Sequence, residues 1–172
     1  MNKLENLWAG WRKEYLTFTN SDNYKNHSEK TLFEALDQSQ LPDRETFVIE
    51  KRTLTMVLLN VYPYTSGHLL IVPRRPVKTL TELSSEEHES LWKMVTDATT
   101  TLQEVFSPEG INVGLNQGEA AGAGVPNHLH VHVVPRWRGD TNFTTVTANT
   151  RVIPEALTDT WTRISEAWPR EN

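Results

Sequence analysis

None of the 172 residues is cysteine. A disulfide framework, a thiolate zinc site, an iron–sulfur cluster and a cysteine nucleophile each need sulfur as bridge, ligand or attacking atom, so all four are excluded. An excess of positive charge is missing as well: 17 Lys and Arg stand against 22 Asp and Glu, a formal net charge of −5. Nucleic acid or an anionic membrane surface, bound through massed basic side chains, is therefore not an expected partner. A small anionic ligand would need a local positive pocket. Long apolar runs are absent too. None exceeds the four residues of Met56-Val57-Leu58-Leu59, far too short to span a bilayer, and Met1 to Trp8 has no apolar stretch of the signal-peptide kind, so a cytoplasmic location is expected. Gly at 8 and Pro at 9 are too few for a collagen-like or disordered chain. What remains is one globular domain over residues 1–172.

Apolar periodicity predicts the elements. Leu4, Leu7, Trp8, Trp11, Tyr15 and Phe18 recur every three or four positions, predicting an amphipathic helix over 4–18. A polar stretch with His27 follows as a loop, and Leu32, Phe33 and Leu36 predict a short helical turn closed before Pro42. Strands are predicted at Thr46–Ile49, at Leu54–Val61, which is apolar on both faces, and at His68–Val72 after the Tyr62–Gly67 turn. Ser84-Ser85-Glu86-Glu87 has capping-box spacing and starts a long helix that runs to Phe106. Strands return at Ile111–Asn116 and His128–Val134, and a last helix occupies 154–168. Successive strands without helices between them predict an antiparallel α+β domain with a core over 44–143, rather than a doubly wound parallel sheet.

Half of the 6 histidines fall in His128-Leu129-His130-Val131-His132. Alternate side chains of a strand share a face, so the three imidazoles form a row with roughly 6–7 Å between neighbours. Three readings of the row are open. It can be the polar face of a half-exposed strand. It can be a metal site, since imidazole is the commonest metal ligand, although in-line histidines converge poorly and the nearest carboxylate on the C-terminal side is Asp140. Or an imidazole can act as a nucleophile on phosphorus. The loop Asn116–Gly124, with three glycines and three alanines, favours the last by letting backbone N–H groups approach an anion. Arg136 and Arg138 just beyond the row, and Arg74 and Arg75 beyond the third strand, add the positive charge that a phosphate chain requires.

His128 to Val134 matches the His-φ-His-φ-His-φ-φ signature of the histidine triad (HIT) superfamily of nucleotide hydrolases and transferases, and the chain is identified as a member on this likeness. Asn60 to Pro73 resembles the family's nucleotide-binding hairpin. Ala121–Gly124, Pro135–Phe143 and Leu7–Arg12 are similar to the branch of diadenosine tetraphosphate phosphorylases.

The resemblance implies a HIT-like fold and a covalent AMP–histidine intermediate. In it His130 attacks the α-phosphorus, His132 contacts the α-phosphate oxygens, and His128 orients the row and assists proton transfer at the leaving oxygen. Asn60 matches the ribose-binding position, and Asn116, with Asn112 beside it, the phosphate side. Gly122, Ala123, Gly124 and Arg136 are further substrate-binding candidates. His68 is expected to hold the triad through a buried hydrogen bond, and Leu54, Val57 and Leu70 to form an apolar slot for the purine. The expected reaction is diadenosine tetraphosphate plus phosphate to ADP plus ATP. Hydrolysis of adenosine phosphoramidates or dinucleoside polyphosphates is the alternative within the same chemistry, and nucleotide binding without turnover is the alternative outside it.

Two departures from the family matter. Many relatives carry Gln or Ser four residues before the first triad histidine, where this chain has Gly124, so backbone N–H groups must replace a side-chain bridge. The zinc site of some relatives uses cysteines that are absent here, so no structural metal and no resident cofactor is expected. A divalent metal is expected only with the polyphosphate. The resemblance also implies a homodimer that joins two half-sheets, with the 84–106 helix as an interface element.

Overall fold

Runs rich in Val, Ile, Leu and Met favour pleated, buried strands, and three of them lie between residues 46 and 73. A computed structural model of the protein describes residues 5–6, 30–141, 150–151 and 153–169. In chain order these hold β1 (Glu5–Asn6), α1 (Leu32–Asp37), α2 (Asp43–Thr46), β2 (Val48–Lys51), β3 (Thr55–Leu59) and β4 (Leu69–Pro73). The long helix α3 (Ser85–Phe106) follows, then β5 (Gly110–Leu115), β6 (Val131–Arg136), β7 (Thr150–Arg151) and α4 (Leu157–Ala167). Strands β2-β3-β4-β6-β5 form one sheet in that order, every neighbour antiparallel. The expected α+β architecture is therefore the observed one. No described helix is long and apolar enough to cross a membrane.

The sheet has one face for packing and one for the site. Val57 and Leu59 of β3, Leu69 and Ile71 of β4, and Val131 and Val133 of β6 pack beneath Leu91, Met94, Ala98 and Leu102 of α3. Burying each such side chain is worth about 1.5–3 kcal/mol, which makes α3 the main cover of this face. The opposite parity, Met56, Leu58, Leu70 and Val72, meets Phe33 and Leu36 of α1. His132 pairs with Leu70 across the ladder and so belongs to this second face. At the other end of the chain, Trp168 is buried in the main core and Trp161 donates its indole N–H to the Val48 carbonyl at 2.7 Å, so both tryptophans pack locally.

The capping box is present as read: Ser84 accepts from the Glu87 N–H, and the Glu87 carboxylate accepts from the Ser84 N–H. Other boundaries move. Thr46 closes α2 instead of opening a strand, because Phe47 takes a left-handed φ of 57° that swings the chain into β2. Ladder pairing of β6 starts only at Val131, so His128 and His130 precede the regular strand. The helix expected over 4–18 is corrected at its start: Glu5 and Asn6 pair in parallel with Thr150 and Arg151, and backbone bonding to another strand replaces helical bonding there. The rest of that helix, the Leu7–Arg12 likeness, His27 and Asn142–Phe143 lie outside the described residues.

Candidate active site

The first triad histidine is locked by two protein partners. The ring of His128 is 1% exposed, with Nε2 at 2.7 Å from the Pro73 carbonyl and Nδ1 at 2.6 Å from the Thr31 hydroxyl. A carbonyl can only accept, so Nε2 carries the proton; burial pushes the pKa of this ring below its ordinary value, so it is neutral and Nδ1 accepts from Thr31. Both nitrogens of His128 are thus engaged by protein groups, and its expected part in proton transfer would require the bond to Pro73 to open.

His130 is fixed in the complementary form. Its Nδ1–H donates to the His128 carbonyl at 2.9 Å, so the lone pair sits on Nε2. Burial lowers its pKa, with the backbone bond opposing, and Phe33 tilts against the ring at 5.2 Å.

His132 takes its tautomer from the hairpin. The Tyr64 backbone N–H donates to Nδ1 of His68 at 3.1 Å, so the proton of His68 is on Nε2. That proton is given to Nδ1 of His132 at 2.9 Å, which leaves His132 with a free Nε2–H. His68 is fully buried, with this hydrogen bond to a triad histidine. Burial, and secondarily the neighbouring His130, push His132 down to about 4, so it is neutral at pH 7. The rings of His130 and His132 lie 5.0 Å apart. An unprotonated nitrogen and an N–H donor thus stand side by side, a pair suited to attack an electrophile and to bond its oxygen.

Two hollows meet at His132 and Tyr64. The first, about 410 Å³, is lined by His130, His132, Asn60, Gly122 and Gly124 among others, with an apolar wall that includes Phe33, Leu36, Leu58 and Leu70. The second, about 380 Å³, adds Asn112, Asn116 and Arg136. Most of the expected site residues are therefore brought together. Val57 is a correction: it belongs to the α3 face, one residue out of phase with Leu58, which takes its place; Leu54 also lines neither hollow. Ala123 lines neither hollow either.

The loop donors and the arginines are more committed than expected. The Gly122 N–H donates to the Glu119 carbonyl at 2.9 Å and the Ala123 N–H to the Gly118 carbonyl at 3.3 Å, which closes the turn. Among the described residues only Gly124 of these three keeps its N–H without a partner. Arg74 shares its Nε–H between the two Asp37 oxygens, Arg75 forks onto Glu87 and Arg136 onto Asp140, while Arg138 meets Glu109 at 3.2 Å. Arg74, Arg75 and Arg138 line neither hollow, so the expected positive pocket reduces to Arg136, which also donates to Asn112 at 2.8 Å.

Thr31, Phe33, Leu36 and Tyr64 were not expected at the site. The Thr31–Glu34 spacing is a capping-box signature, and it is the signal that was available in the sequence. Tyr64 lies nearly parallel to His132, at 5.8 Å and 20°. Among the described residues no group of three or more His, Asp or Glu is arranged to hold a metal ion.

The sequence and the fold have known counterparts. The model of the HIT domain family matches residues 42–139. AP-4-A phosphorylase of Mycobacterium tuberculosis is 38% identical over 170 residues, 99% of this chain and 87% of that one. The chain belongs to the HIT domain family. A second relative, the asymmetrical bis(5'-nucleosyl)-tetraphosphatase of Schizosaccharomyces pombe, is 34% identical over 93 residues, 54% of this chain and 50% of that protein. Among solved structures, a zinc-bound histidine triad family protein from Mycobacterium smegmatis superposes with a TM-score of 0.65 at 25% identity, covering 81% of this chain and 94% of that one. A Hit-like protein from Bartonella henselae gives 0.66 at 20% identity, covering 82% and 98%, a likeness of fold alone.

Proposed function

We propose that this HIT protein is a nucleotidyl-transfer enzyme that cleaves dinucleoside polyphosphates, with diadenosine tetraphosphate plus phosphate going to ADP plus ATP. The observation that carries the reading is the tautomer of His130, whose Nδ1–H bond to the His128 carbonyl leaves Nε2 unprotonated in a hollow with an apolar wall of nucleoside size. Near-full-length likeness to AP-4-A phosphorylase supports it.

His130 Nε2 forms a bond to the α-phosphorus as the α–β bridging P–O bond breaks, and the leaving ATP takes that electron pair. The His132 Nε2–H donates to an α-phosphate oxygen as charge builds. Inorganic phosphate then attacks the phosphorus, the P–N bond breaks, and ADP leaves with the AMP group while His130 regains its lone pair. Asn60 holds the ribose, Leu58 and Leu70 the base, and Asn112, Asn116 and Arg136 the polyphosphate. Any divalent cation arrives with that polyphosphate.

Diadenosine tetraphosphate incubated with and without phosphate separates the possibilities. ADP plus ATP only with phosphate supports phosphorolysis; AMP plus ATP in both arms overturns it in favour of hydrolysis. Full turnover by His130→Ala overturns the covalent route.

The same proposal includes a homodimer. Edge strand β5 leaves Val113 42% exposed, and α3 leaves Trp92 45% exposed, apolar area that a second copy would cover. Light scattering at the monomer mass overturns it.

A further inference from the structure

The hydrogen-bond chain behind His130 begins outside the sheet, on the first turn of α1. The Thr31 hydroxyl has two duties. It accepts from the Glu34 N–H at 3.3 Å as the cap of α1, and it donates its proton to Nδ1 of His128 at 2.6 Å. The opposite nitrogen of that ring donates to the Pro73 carbonyl at the end of β4, and the edge of Phe33 closes on it at 5.3 Å and 88°. His128 is thereby clamped between α1 and β4, and its own carbonyl receives the His130 Nδ1–H. Two residues before Phe33 of the apolar wall, the cap of the same helix thus holds a histidine that lines neither hollow.

We propose that Thr31 is a positioning residue of the triad: its hydroxyl fixes the His128 ring against the Pro73 carbonyl and, through the His128 carbonyl, aims the lone pair of His130. Without that donor the His128 ring keeps its Nε2–H form through Pro73 but is held by one bond instead of two. A ring held at one nitrogen can turn about that bond, so the clamp opens on the α1 side. The backbone at His128 then no longer holds its carbonyl against His130, and the nucleophile samples the form whose proton blocks attack. The inference rests on His130 as the nucleophile.

Thr31→Val keeps the branched shape and removes the hydroxyl; Thr31→Ser restores it; Glu34→Ala breaks the carboxylate half of the cap while sparing the bond to His128. For Thr31→Val the expected result is a kcat lower by about tenfold or more with KM within about twofold, and the Nδ1 NMR signal of His128 moved from its hydrogen-bonded position. Thr31→Ser should return both readouts, and Glu34→Ala should leave both near wild type. A Thr31→Val enzyme with unchanged kcat overturns the proposal, as do equal losses in Thr31→Val and Glu34→Ala or a loss without movement of the His128 signals. The NMR pattern does not depend on turnover. Full activity in His130→Ala would therefore refute the nucleophile while the state of the clamp is still read directly.

Discussion

The Nε2–H of His68 donates to Nδ1 of His132 across 2.9 Å, and the Tyr64 backbone N–H at 3.1 Å forces that direction. A residue of the hairpin turn therefore decides which nitrogen of a strand residue faces the hollow. His68→Phe keeps an aromatic volume and removes both bonds. It is expected to lower kcat/KM about tenfold to a hundredfold, a loss of about 1.4–2.7 kcal/mol of transition-state stabilisation, with the circular dichroism spectrum retained. Steady-state kinetics with wild-type kcat/KM would show that His132 needs no such partner.

Gly67 is where the turn can be broken without replacing a histidine. Its φ is +81°, and a Cβ there would stand 3.0 Å from Phe106 and 3.1 Å from Leu102 on α3. Gly67→Ala meets both backbone strain and crowding, so it should cost about 1–3 kcal/mol of stability. Because His68 follows directly, activity should fall as well. Urea denaturation and kinetics measured together check this; a stable variant with an unchanged rate refutes it.

Local signals were legible in the sequence and distant pairings were not. The Ser84–Glu87 cap, the inward Leu129, Val131 and Val133, and the alternation that puts His130 and His132 on one side follow from spacing alone. Which parity of β3 faces the hollow beside His130 does not, because Met56 to Leu59 is apolar at every position, and only the packing of α3 and α1 separates Val57 from Leu58. The arginines show the same limit. Arg74 and Asp37 lie 37 residues apart and Arg52 and Asp97 lie 45 apart, so the carboxylates that occupy these guanidiniums are set by the tertiary fold. Thr31 is 97 residues from His128, and no local pattern links a helix cap to the triad.

The neutral triad should be visible in pH profiles. Burial lowers the pKa of His128 and His130 below 6.5 and that of His132 to about 4. Attack needs unprotonated His130, so kcat/KM should stay level from pH 8 down past 6.5 and fall only below it. Stability follows the same groups. Below 6.5 the unfolded chain takes up protons that the folded chain refuses, so stability is full above 6.5 and declines as pH falls toward about 4. Kinetics and urea midpoints between pH 4.5 and 8 test both. An acid limb centred at or above pH 7 would contradict the burial of His130.

Neighbours on β3 should separate binding from stability. Leu58 is on the apolar wall of the hollow beside His130, and Val57, fully buried, packs under α3. Leu58→Ala removes apolar contact with the base worth about 1–2 kcal/mol, so KM should rise about five- to thirtyfold with little change in kcat. Val57→Ala leaves a cavity beneath α3 and should cost about 1–3 kcal/mol of stability with KM within about twofold of wild type. If Val57→Ala raises KM as much as Leu58→Ala does, the two faces of the sheet are not functionally distinct. That result would move the nucleoside out of the hollow between α1 and β3.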